Sequence, residues 1–343
     1  MNPVRVILAV MSVAAVGATG FGAQAESPAK PIEPIGAIIE AFRAHSLVAI
    51  GDPHGNEQIH KFRLVLIRDP RFASTVNDIV VEFGNARYQE TLDRFVRGED
   101  VPTTTLQHVW QDTTQVEFEW DVPVYEEFLR MVRAVNATLP SERKLRVLLG
   151  DPPIDWSAIH GRSDLMAFME RTGRDAYAVG VIQNEVLAKG RRALLIYGDQ
   201  HLFRRNAIPD APQPWARGLV AQLERPGIAT VFTIHPEVRK DWTSWQPDVA
   251  SWPTPSLALT KDTVIGAALF TAPPQRAVRY DEQFDALLYL GPPSTMTQAH
   301  LSKELCADSQ YIEMRLSRLS LVPPPPGAPV KPADLLKAEC SLR

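Results

Sequence analysis

Short apolar runs separated by amphipathic stretches organise the chain between residues 47 and 290. Leu47–Gly51, Asp78–Phe83, Leu145–Gly150, Ala193–Tyr197 and Ile228–Ile234 are rich in aliphatic and β-branched residues, and most close on Gly or a polar group. They read as buried strands. Runs that are apolar on both faces suit a parallel sheet covered by helices on each side. Between them, apolar residues recur at helical spacing: Leu92, Phe95 and Val96 in Tyr88–Arg97, Phe128, Leu129, Val132 and Val135 in Val124–Val135, and Val179, Ile182, Val186 and Leu187 in Asp175–Lys189. Gly190 follows the last of these as a stop signal. Phe284–Leu290 supplies one more apolar strand, expected to return to the same sheet. The predicted fold class is α/β, a mainly parallel sheet flanked by helices on both faces.

Outside this rhythm the pattern changes twice. From about 237 to 280 it loosens into a Trp- and Pro-rich stretch, read as an irregular excursion over the body. Trp242, Trp245 and Trp252 would either line a lid for an apolar or sugar-like ligand or pin the long loop to the core. Residues 322–343, with Pro323 to Pro326, Pro329 and Pro332, read as a polyproline-like, partly mobile tail. The domain prediction is therefore a leader over 1–25, one α/β domain over 26–321, and the tail.

The leader rests on Arg5, the apolar run Val6 to Phe21, and Ala23-Gln24-Ala25, which fits an A-x-A cleavage site. It predicts a periplasmic or secreted protein, with no stable membrane span once the leader is removed, and a retained membrane anchor as the alternative. The only cysteines are Cys306 and Cys340, which in an oxidising compartment either tie the tail to the body or stay free. The formal charge is −4, and more negative by one without Arg5. No basic stripe accompanies it, so a nucleic-acid partner is not expected; a small-molecule substrate is.

In an open parallel sheet the ligand crevice lies outside the carboxyl ends of the strands. The first strand runs into Asp52-Pro53-His54-Gly55-Asn56-Glu57-Gln58-Ile59-His60, the second carries Glu82, the third ends in Asp151, and the fourth ends in Gly198-Asp199-Gln200-His201. Taken singly, an Asp after a strand is a common cap and a lone His is commonly structural. Glu82 stands out, because a carboxylate in an apolar strand must be paired or carry a raised pKa. Two imidazoles and several acids at one edge suit activation of water. His54 would be the base, Asp52 or Glu82 its orienter, and His201 a donor to the oxyanion or leaving group. No Ser sits in a G-x-S-x-G elbow and neither Cys is near, so a covalent mechanism is not expected. His54, Glu57, His60 and His201 are also possible metal or haem ligands, but the spacing of His54 and His60 does not place them on one helical face.

These segments resemble the superfamily that joins the erythromycin esterases to the ChaN-like haem-binding proteins and their TIKI and TraB relatives. Gly51-Asp52-Pro53-His54 is similar to that group's Gly-Glu-x-His, with Asp one methylene shorter. Val80-Val81-Glu82-Phe83-Gly84-Asn85, followed by Tyr88-Gln89, Leu92-Asp93 and Gly98-Glu99-Asp100-Val101, is similar to the esterase segment carrying the second acid. Leu149-Gly150-Asp151 and Arg174-Asp175 resemble two further family positions, and Gly198-Asp199-Gln200-His201 sits where esterases show His-Asn-x-His, so only the second His is kept. Ala178 and Val181 stand where Met and Asn are usual. The resemblance spans residues 46 to 291. It implies an exported, metal-independent, esterase-like hydrolase with His54, Asp52, Glu82 and His201 catalytic and Glu57, His60, Asp151, Arg174, Asp175 and Asp199 contacting substrate. No cofactor is expected on this reading. The alternative is a periplasmic protein that binds haem or a divalent metal, as ChaN-like proteins do, and a metal-dependent peptidase is a more remote one.

Overall fold

The computed structural model describes residues 27–205, 217–238, 249–272, 276–322 and 331–342. The predicted leader, Trp242, Trp245, and the prolines from 323 to 329 lie outside the described residues. Among the described residues nine strands form: β1 (Leu47–Gly51), β2 (Asp78–Asn85), β3 (Arg146–Asp151), β4 (Ala193–Tyr197), β5 (Val231–Glu237), β6 (Ser256–Leu259), β7 (Leu269–Ala272), β8 (Arg276–Arg279) and β9 (Ala286–Tyr289). Seven make one sheet in the order β3-β2-β4-β1-β5-β9-β6, and β7 with β8 makes a separate hairpin. All pairs in the large sheet are parallel except β6 with β9.

Side-chain alternation divides the core in two. Val48, Ile50, Ile79, Val81, Leu194 and Ile196 face one layer, which the Pro34–Ala44, Glu57–Arg68, Gln89–Arg97, Thr103–Gln111 and Pro123–Ala137 helices complete with residues such as Phe42, Phe62, Phe95, Leu106 and Phe128. Leu47, Ala49, Val80, Leu195 and Tyr197 face the other, closed by the Arg174–Val181 and Leu219–Glu224 helices through Val179, Leu219 and Leu223. The α/β fold, parallel and covered on both faces, is thus as the hydrophobic pattern predicts.

The differences have local causes. The fifth strand begins at Val231 rather than Ile228, because Gly227 adopts φ +74° and the amides of Ile228 and Ala229 turn back to the Leu223 carbonyl. The helix expected over Asp175–Lys189 is α-helical only to Val181, then widens to a π-turn over Ile182–Val186 and tightens over Leu187–Lys189. The excursion is not wholly irregular, since β6 adds an edge strand to the main sheet. Trp252 packs edge-on against Tyr289 with ring centroids 6.2 Å apart and joins the second core, so it is a pin rather than part of a lid. The tail is not polyproline throughout: Pro332 opens a helix that runs to Ser341.

The C-terminal segment grips the loops beside the sheet's carboxyl edge. Arg315 pairs with buried Asp121 at 2.5 Å, Tyr311 donates to the same carboxylate, and Arg318 pairs with Asp112 at 2.6 Å. The Pro332–Ser341 helix is bound to this segment by a Cys306–Cys340 disulfide and by Glu339, which accepts from the Leu301 amide and pairs with His300. Among the described residues no helix is long and apolar enough to cross a membrane. The disulfide closes a sequence separation of 34 residues, for which loop-closure entropy gives about 3–4 kcal/mol. The Cys306→Ser variant should therefore unfold at a clearly lower urea midpoint than the wild type, and adding reductant should bring the wild type down to it.

Candidate active site

Strand register brings the polar groups together. β1 and β4 run level, Gly51 opposite Tyr197, and the Asp52 amide donates to the Tyr197 carbonyl at 2.8 Å. β2 lies on the other side of β4 with Val81 opposite Ile196, so Glu82 emerges beside the β4 terminus. Its register with β3 shifts between Val81 and Asn85, which ends opposite Asp151. Four chain segments far apart in sequence thus end on one edge.

Asp52 is the buried anchor of the first group. Arg63 Nη1 donates to its Oδ1 at 2.7 Å, the Tyr125 hydroxyl donates to Oδ2 at 3.0 Å, and His54 Nδ1 lies 3.2 Å from Oδ2. Burial pushes this carboxyl up, but Arg63 and His54 outweigh it and hold it far below the usual carboxylate range. An ionised carboxylate only accepts, so the proton it shares with His54 sits on Nδ1 and leaves Nε2 with its lone pair. The shorter Asp therefore does reach the imidazole. Burial works to keep that ring neutral, yet Asp52, helped by Glu82 and Glu119, raises its pKa above the usual 6.5. Trp120 meets the ring edge-on with centroids 4.4 Å apart, and the imidazole still keeps 36% of its side-chain surface exposed.

Glu82 anchors the second group. Its Oε1 accepts from Arg174 at 2.9 Å and from His201 Nε2 at 3.0 Å, and its Oε2 accepts from the Gly198 amide at 2.7 Å. Burial alone would raise this carboxyl; His201, Arg174 and His54 bring it down to about 2. The other nitrogen of His201 lies 2.5 Å from Asp175. Burial opposes the charged imidazole, but Glu82 and Asp175 together lift its pKa to about 10. His201 is thus a fixed imidazolium at neutral pH. Asp151 receives the Thr114 amide and hydroxyl and lies 3.4 Å from Arg174 Nε, while burial leaves its carboxyl at about 6.

Gly198 is where the two groups meet. A Cβ on it would lie 2.9 Å from His54 Cε1, 3.1 Å from His54 Nε2 and 3.4 Å from Glu82 Oε2. His54 thus occupies the space that a side chain at 198 would take. Gly55, at φ +72°, makes the turn after His54, and Gln298 donates to the His54 carbonyl there.

Of the residues expected from sequence, Asp52, His54, Glu82, Asp151, Arg174, Asp175 and His201 converge. Three do not. Glu57 is tied to Lys61 and to the Thr297 hydroxyl on its helix surface. His60 is buried behind the site, 2.9 Å from Glu127, where it lines a cavity of about 10 Å³ with Asp52, Arg63 and Tyr125. Asp199 turns towards His235, 3.4 Å away. Of the two carboxylates named as partners for His54, Asp52 lies against its Nδ1, while Glu82 is engaged by Arg174, His201 and the Gly198 amide. Sequence reading missed Arg63, Tyr125, Trp120 and Gln115. Arg63 had a signal, lying one turn from Ile59 on an apolar helix face, and Tyr125 falls in register with Phe128, Leu129 and Val132.

Both His201 nitrogens are committed to carboxylates, and among the described residues no group of three His, Cys, Asp or Glu side chains is placed to hold a metal ion.

No family model matches the sequence, and no curated protein does. Solved structures do match. A succinoglycan biosynthesis protein is 10% identical, with 81% of this chain and 97% of that one covered at a TM-score of 0.56. A variant of the erythromycin esterase EreC in its open conformation is 14% identical, with 78% and 94% covered at a TM-score of 0.54. The chain shares its fold with an erythromycin esterase. The haem-binding ChaN of Campylobacter jejuni also matches, at 12% identity and a TM-score of 0.38 over 61% of this chain and 87% of that one. Identities this low speak to fold alone.

His201 is charged in the fold up to about pH 10 and has an ordinary value of 6.5, so the stability it supplies is complete below pH 6.5 and is lost as pH rises through 10. The thermal midpoint of the wild type should decline across that window. His201→Gln should start lower and decline less, as a pH series of melting curves would read.

Proposed function

We propose that the protein is an exported hydrolase that activates water with the Asp52–His54 pair to cleave an ester or related acyl bond. One observation carries this reading: an ionised, buried Asp52 fixes the tautomer of a part-exposed His54, and the free Nε2 is directed to the side where Glu82 holds two cations. His54 takes a proton from water, and the hydroxide formed attacks the acyl carbon. Charge develops on the carbonyl oxygen, opposite the imidazolium of His201 and the guanidinium of Arg174. Because His201 uses both nitrogens on carboxylates, it acts through its charge rather than by handing over a proton. Arg63 and Tyr125 hold Asp52, and Trp120 restricts the tilt of the imidazole. The shared fold with an erythromycin esterase supports hydrolysis as the class, and the Cys306–Cys340 disulfide supports an oxidising compartment.

Purified protein should hydrolyse members of a broad ester and lactone panel, and His54→Ala should lower kcat by about 10²–10⁴; a wild type inert on the whole panel removes the hydrolase reading. On a p-nitrophenyl ester the rate should rise with pH to a plateau, with a midpoint above 6.5 because the base must be neutral. In Asp52→Asn that midpoint should move down, with a lower plateau, since the carboxylate that raises it is gone. Gly198→Ala should lower kcat more than it alters KM, because the new methyl group displaces His54 without filling the substrate's place.

A further inference from the structure

The loop between the Thr103–Gln111 and Pro123–Ala137 helices forms a wall of the site, and the mechanism above uses it only for support. Thr114 holds Asp151; Gln115 Oε1 accepts from Arg174 at 3.2 Å; Trp120 lies against His54. Glu119 sits between these contacts. Its carboxyl accepts from Gln115 Nε2 at 3.4 Å, so a continuous chain runs from Glu119 through Gln115 and Arg174 to Glu82, while the next residue along touches the catalytic imidazole.

Its partners set it apart from the other carboxyls there. Asp52 has Arg63 and His54, Glu82 has Arg174 and His201, Asp151 has Arg174, and Asp175 has His201. Glu119, half-buried, is held by a neutral amide, and among the described residues no cation lies within ion-pair distance of it. We propose that Glu119 is a further catalytic residue, the acid that protonates the departing alcohol of an ester substrate. This rests on the hydrolase reading. Burial, with Glu117 adding to it, raises its carboxyl above the ordinary range despite the opposing pull of its own backbone amide, Gln115 and His54, which favours the protonated form the role needs.

The step balances. His54 accepts one proton from water as the C–O bond to hydroxide forms, and the tetrahedral intermediate then breaks its bond to the leaving oxygen. The Glu119 proton goes to that oxygen, giving the alcohol and a Glu119 carboxylate. The imidazolium of His54 returns a proton to Glu119 through solvent, and the product acid ionises. A protonated general acid matters most when the leaving alcohol is weakly acidic and can hardly depart as an alkoxide.

The test is the dependence of kcat/KM on the leaving group, using butyrate esters of p-nitrophenol, trifluoroethanol and ethanol. Glu119→Gln should lower the rate on the ethyl ester by about 10²–10⁴ and on the p-nitrophenyl ester by far less, steepening the dependence on alcohol acidity. Glu119→Asp should recover part of the loss on the ethyl ester. An equal loss on all three esters overturns the proposal, as does a change confined to KM, which would assign Glu119 to binding. A wild type inert on all three and on the whole ester and lactone panel removes the hydrolase reading and the role of Glu119 with it. Far-ultraviolet circular dichroism of Glu119→Gln separates these results from misfolding, and the p-nitrophenyl rate, far above that of an unfolded chain, does so independently.

Discussion

A carboxylate buried in a parallel strand has to be neutralised, and the neutralisation of Glu82 organises this molecule's polar edge. Left alone in the apolar layer, such a group would protonate or destabilise the sheet. Instead Arg174, His201 and the Gly198 amide converge on its two oxygens from two separate segments, the start of one helix and the end of β4. Asp151 and Asp175 come with them as partners of the same cations. The charged layer is therefore a consequence of placing one acid in β2, and every other group in it is oriented by reference to that acid.

Two imidazoles on adjacent strands end up with opposite chemistry because their surroundings count differently. His201 faces two carboxylates and keeps its proton through the neutral range. His54 is hydrogen-bonded to one, Asp52, whose own charge is already shared with Arg63 and Tyr125, and it retains an exposed edge. The first suits a permanent positive charge, and the second suits a base that gains and loses a proton. Gly198 permits this division by leaving room for the His54 ring to approach Glu82.

The outer wall of the site is held from a distance. Gln111, Asp112 and Asp121 are gripped by Arg315 and Arg318 from the Ser309–Ser320 helix, and these contacts frame the loop that carries Thr114, Gln115, Glu119 and Trp120. Gln298, earlier in the same C-terminal segment, holds the His54 carbonyl. The C-terminal segment thus braces both the loop over residues 112–121 and the turn after His54, and its own end is secured by the disulfide.

Much of this was legible in the chain alone. Apolar runs on both faces at Val48, Val80, Leu148 and Leu195 dictate buried parallel strands, and the polar residues that follow them mark the edge where a site belongs. An acid inside such a run, as at Glu82, announces that a partner exists. The sequence does not say which partner. Arg63, Tyr125 and Gln115 reach their carboxylates from helices and loops whose approach depends on packing, and Glu57, His60 and Asp199, near neighbours of site residues along the chain, turn elsewhere because helix rotation and loop direction carry them away. Local periodicity determined the layers and the edge; long-range register and packing decided which charges meet, because ion pairs form across space where burial makes an unpaired charge costly.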